Sequence, residues 1–139
     1  MVQVPARIPG LRLLTIGWAI YFALWIALEG SLTRVVILAA GLSLLLAAHG
    51  LRRWGGGRRL QAWQWALLLA GLGAAVGLGA ALLTLPLMAL KTGLHAHGPE
   101  FGPADVVWVV RQAPWWTGAG LLAGLGLSLL TPRRAPDPD

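Results

Sequence analysis

Residues 60–90 run without a single charged side chain, and residues 13–28, 35–51 and 112–132 are uncharged as well. Apolar stretches of that length limit the fold more than any other feature of the chain. An α-helix rises about 1.5 Å per residue and a bilayer's hydrocarbon core is about 30 Å thick, so roughly 20 residues cross it. No water in that core satisfies backbone N–H and C=O groups. Helices, whose hydrogen bonds are internal, are therefore the expected conformation for such stretches. Composition points the same way. Only 12% of the residues are charged, against roughly 25% in soluble domains, too few to cover a water-soluble core.

The expected fold is an all-α integral membrane protein, one domain over residues 1–139, with four transmembrane helices at about 12–29, 32–49, 64–90 and 113–131. The third and fourth stretches are long enough without help. The first two are shorter, but Arg12, Arg34 and Arg52 can extend their charged ends towards water while Leu32 and Leu51 lengthen the apolar part. The turn from Glu29 to Arg34 reads as a tight helical hairpin, with a re-entrant hairpin as the alternative. No A-x-A pattern precedes a plausible mature start, so an uncleaved first helix is expected rather than a signal peptide. Residues 132–139, rich in proline, read as a disordered tail.

Lysine and arginine set the expected orientation. Arg7, Arg12, Arg52, Arg53, Arg58, Arg59, Arg133 and Arg134 fall on one side of the four spans, and Arg34, Lys91 and Arg111 on the other. The positive-inside rule then places both termini in the cytoplasm of a cell (plasma or inner) membrane. Trp54, Trp63 and Trp65 lie at the expected inner boundary and Trp108, Trp115 and Trp116 at the outer one, where amphipathic rings prefer to sit. Trp18 and Trp25, seven residues apart, share a face of the first helix and read as packing or lipid contact. The net charge of +6 is spread as short clusters between apolar blocks, so it reads as a topology signal and not as a nucleic-acid surface.

Small residues mark the third and fourth spans. Gly73 and Gly77 form one G-x-x-x-G pair, and Gly120 and Gly124 form another. Lipid provides no hydrophobic drive to join helices, so these stripes predict close packing of the two helices on each other or on a partner. Pro86 predicts a kink near Leu82. Between the two spans, Pro103, Asp105 and Arg111 suit a short helix at about 104–112 lying in the outer interface, with Pro114 marking the bend into the fourth span. The inner loop carries Arg52, Arg53, Arg58 and Arg59 around a triple glycine. It reads as a topology-fixing loop, or as a site for anionic lipid headgroups.

Candidate chemistry is sparse. His95, His97 and Glu100 offer a ligand set for zinc or copper in the outer loop, set against a plain solvated loop. His49 is separated from His95 and His97 by about a membrane thickness, roughly 30 Å, so one chain cannot clamp a haem between them, and no cofactor is expected. Ser31, Ser43 and Ser128 lack a nucleophile-elbow context, and the chain contains no cysteine, so an enzyme is not expected. Transport normally uses an ionisable group within the bundle, yet the only acid near a span, Glu29, lies at its outer boundary. The expected role is a non-catalytic accessory or assembly subunit of a membrane complex, with a partner or a second copy on helices three and four. A small homo-oligomeric transporter or channel and an outward-facing metal-binding protein are the alternatives.

Overall fold

The structure, a computed structural model, describes residues 1–28, 30–94 and 100–131. It is about 82% helical. Four helices account for this: α1 (Leu11–Ala27), α2 (Leu32–Gly50), α3 (Ala62–Leu94) and α4 (Pro103–Leu130). They run alternately up and down, as their cross-links show. Thr15 near the start of α1 meets His49 at the end of α2 at 3.0 Å, and Trp65 at the start of α3 donates its indole N–H to Thr131 just past α4 at 3.1 Å. The bundle therefore has two distinct ends. One, the arginine end, carries the N-terminus and Arg52, Arg53, Arg58 and Arg59. The other, the lysine end, carries Lys91, Glu100 and Asp105.

At about 1.5 Å per residue, α3 with 33 residues is about 50 Å long and α4 with 28 is about 42 Å. Both exceed a hydrocarbon thickness of about 30 Å, as does α2 together with a π-helical turn, Leu51–Gly55, that continues it. Three helices are thus long and apolar enough to cross a membrane, while α1 is a shorter apolar helix of 17 residues. Leucines such as Leu13, Leu44, Leu67, Leu122 and Leu129 are exposed on all four helices. A water-soluble bundle would not show so much apolar surface, whereas a membrane-embedded one requires it.

The core is divided by depth. The larger cluster, towards the lysine end, joins all four helices through Trp25, Val35, Leu38, Ala81, Met88 and Val109. The smaller one, at the arginine end, packs Val2 and Val4 of the N-terminal segment on Trp65 and Leu69 of α3. That segment is held by a two-stranded antiparallel pair, β1 (Val2–Gln3) on β2 (Arg59–Leu60), with Val2 opposite Leu60. The inner loop is consequently built rather than slack. Gly57, at φ 82°, makes the left-handed turn that reverses the chain into β2, a conformation glycine adopts without steric penalty.

The fourth helix departs from the sequence expectation. No separate interfacial helix at 104–112 is present, because α4 is one helix from Pro103 to Leu130 with Pro114 inside it. Its start is as anticipated, with Pro103 in the first turn and the Asp105 carboxylate accepting the Gly102 N–H at 2.8 Å. Val109, fully buried, anchors the first half of α4 on the larger core cluster. One turn beyond the proline, the Thr117 hydroxyl donates to the Ala113 carbonyl of the same helix at 2.7 Å. Pro86 likewise lies within an unbroken α3.

Candidate functional site

Three places in the bundle carry more than apolar packing: the α3–α4 seam, the lysine end and the arginine end.

Along the α3–α4 seam the two backbones touch. A Cβ on Gly73 would overlap the Gly120 carbonyl, and one on Gly77 would overlap the Trp116 carbonyl. Reciprocally, Gly120 faces the Gly73 carbonyl and Gly124 the Leu69 carbonyl. Dispersion and close polar contact between backbones hold such a seam where lipid offers no hydrophobic drive. A different small-residue contact joins α2 to α3, where the Ser43 hydroxyl donates to the Val76 carbonyl at 3.0 Å in the space left by Gly79. Between α1 and α2, the Trp18 indole donates to the Leu38 carbonyl at 3.1 Å and fills the space above Gly41.

At the lysine end, Lys91 is completely buried. Its ammonium donates to the carbonyls of Trp25 at 3.2 Å, Ile26 at 2.9 Å and Leu28 at 2.5 Å, and it lies 5.3 Å from the centroid of the Trp25 ring. These carbonyls lie at the end of α1, where a helix carries partial negative charge; that of Trp25 also accepts the Leu28 N–H at 3.1 Å. A lysine of α3 thus caps α1 from outside. The capped end also holds a stack, with Trp18 and Phe22 at 5.4 Å and Phe22 and Trp25 at 5.8 Å between ring centroids. Sequence reading placed Lys91 among solvent-side loop charges and missed this role. The signal available was negative: α1 has neither a basic residue in its last turn nor a glycine directly after it.

Of the candidate metal ligands, His95 and His97 lie outside the described residues. Glu100 is half-buried, its carboxylate against Gly30 in the α1–α2 connection. Among the described residues no three of His, Cys, Asp and Glu come together as a metal cluster.

At the arginine end, Arg52, Arg53, Arg58 and Arg59 are all exposed. Arg52 and Arg53 sit on the π-helical turn, while Arg58 and Arg59 follow Gly57. The turn is pinned by backbone bonds to the N-terminal segment. The Val4 N–H donates to the Arg58 carbonyl at 2.9 Å, and the Gly57 N–H donates to the Val4 carbonyl at 3.0 Å. Beside it lies a cavity of about 430 Å³ between the end of α2 and the start of α3, with Arg58, Gln64 and Trp54 among its lining residues. Deep in the bundle, by contrast, the buried polar side chains among the described residues are Ser43, Thr84 and Lys91. Each of them donates to a backbone carbonyl.

No protein-family profile, curated protein or solved structure matches this chain.

Proposed function

We propose that the chain is a four-span protein of the cell membrane with both termini cytoplasmic, acting without catalysis as an accessory or assembly subunit of a larger membrane complex. The observation that carries this reading is the commitment of Ser43, Thr84 and Lys91 to backbone carbonyls. A carrier or channel needs polar or ionisable groups that face a path and exchange partners as the cargo moves. Here those groups join helix to helix or, at Thr84, serve α3 itself, which suits a rigid helical scaffold. The exposed apolar side chains of α4, including Trp115, Leu122 and Leu129, leave a long face for lipid, a partner helix or a second copy.

The short α1 fits a span if its ends are extended. Arg12 lies in its first turn at the arginine end, where a long side chain reaches water from within the interface. The orientation is supported by the gathering of arginines and both ends of the described chain at one end of the bundle.

Gentle solubilisation from native membranes followed by native mass spectrometry tests the role. The expected result is a defined heteromeric mass. A lone monomer would overturn the accessory reading, and a pure homo-oligomer supporting ion flux in proteoliposomes would replace it with transport.

A further inference from the structure

Gln64, Leu68, Leu72, Val76, Gly79 and Leu83 follow one another at spacings of four, four, four, three and four, so they form a single stripe along α3. The first three line the cavity of about 430 Å³ at the arginine end. The last three, again with Leu72, line a second cavity of about 380 Å³, whose other wall is α2 at Ser43, Leu46 and Ala47. Leu72 borders both, so the two cavities lie end to end along the groove between α2 and α3, referred to below as a slot. At 1.5 Å per residue the first cavity covers about 12 Å from Gln64 to Leu72, within one leaflet of a hydrocarbon core about 30 Å thick, and the second carries the groove on to Leu83, about 28 Å from Gln64.

The slot changes character along its length. At the arginine end its lining includes Arg58, Gln64 and Trp54, while Leu68 and Leu72 continue it into the bundle. The described residues at that end carry Arg7, Arg12, Arg52, Arg53, Arg58 and Arg59 and include no aspartate or glutamate. An occupant matching this gradient has an anionic, hydrogen-bond-accepting head and an apolar tail about one leaflet long. The backbone bonds between Val4, Gly57 and Arg58 hold the arginine's turn in place before any ligand arrives.

We propose that this slot binds one anionic phospholipid from the leaflet at the arginine end, with its phosphate group on Arg58 and one acyl chain along Leu68 and Leu72. The site rests on the membrane placement of the chain and not on its role as a subunit. A protein purified without partners therefore leaves it intact.

Native mass spectrometry of the full chain, delipidated in mild detergent and titrated with lipid, tests it. Phosphatidylglycerol is expected to bind at least about fivefold more tightly than phosphatidylcholine of the same chains, the effect of roughly one arginine near a charged headgroup. Arg58→Gln removes most of that preference, and Ala75→Phe, which fills the second cavity from an exposed position, weakens phosphatidylglycerol binding. Arg53→Gln, outside the slot lining, costs less of the preference than Arg58→Gln. Equal binding of the two lipids overturns the proposal with no variant needed. So does an equal loss in Arg53→Gln and Arg58→Gln, which marks diffuse surface attraction. Displacement of the lipid by glycerol phosphate at comparable concentration identifies a free-phosphate site instead, and unchanged binding in Ala75→Phe removes the acyl chain from the slot.

Discussion

An ammonium group withdrawn from water is destabilising by several kcal/mol unless its protons find acceptors in good geometry. At Lys91 the acceptors include the carbonyls of Ile26 and Leu28, at the open end of α1, and that of Trp25, which also takes the Leu28 N–H, so two deficits cancel at one side chain. Removing the lysine leaves these carbonyls in apolar surroundings, at about 1–3 kcal/mol for each group that finds no substitute. Lys91→Met is therefore expected to lower the midpoint of denaturing-detergent unfolding and to loosen α1 before the other helices. Arg111→Gln, at an exposed site on α4, should leave that midpoint unchanged. Circular dichroism across a dodecyl sulfate titration reads both. An unaltered midpoint for Lys91→Met would mean that water or lipid caps α1 equally well.

Between elements, the glycines sort by what faces them. Gly77 lies against the Trp116 carbonyl, and even one methyl group there forces the helices apart. Gly71, on the same helix, has open space where its Cβ would be. Gly77→Ala is therefore expected to weaken the α3–α4 pair, while Gly71→Ala is neutral or stabilising by about 0.5–1 kcal/mol through its better helix propensity. Disulfide trapping between cysteines placed at Leu69 and Ala123 reads the separation of the seam, and equal trapping in the two variants would show that it yields without loss. The motif is visible in the one-dimensional pattern because G-x-x-x-G repeats once per helical turn, but which helix it faces is a property of the assembled bundle. α4 teaches the converse. Its proline and β-branched run suggest an interfacial segment ending at Pro114, whereas the structure has one continuous helix whose first half is packed on the other helices through Val109.

For the molecule as a whole, length and charge asymmetry determine how it can sit in a bilayer. The chain contains no cysteine, so single introduced cysteines report their side directly. Gln3→Cys, exposed at the arginine end, is expected to react with a membrane-impermeant maleimide only after permeabilisation. Ala104→Cys, exposed at the lysine end, is expected to react in intact cells. The opposite pattern would invert the proposed orientation, and labelling of both in intact cells would overturn the four-span arrangement, because with β1 on β2 only α3 lies between the two positions. Because β1 pairs with β2 across the arginine end, the side found for Gln3 is also the side of Arg58 and Arg59.

Apolar length, charge spacing and glycine periodicity are properties of the chain read in order. They determine helix class, membrane residence and the small-residue stripes without reference to neighbours, since a bilayer imposes the same requirement on every residue that enters it. Contacts between residues far apart in the chain were decided only in the tertiary structure. Lys91 reaches Trp25 across the bundle, Val2 and Val4 settle on Trp65, and Leu72 borders two cavities between α2 and α3. No local pattern announces these, because each depends on which helix ends meet. That is set by packing the four helices at once, and not by the preferences of any one of them.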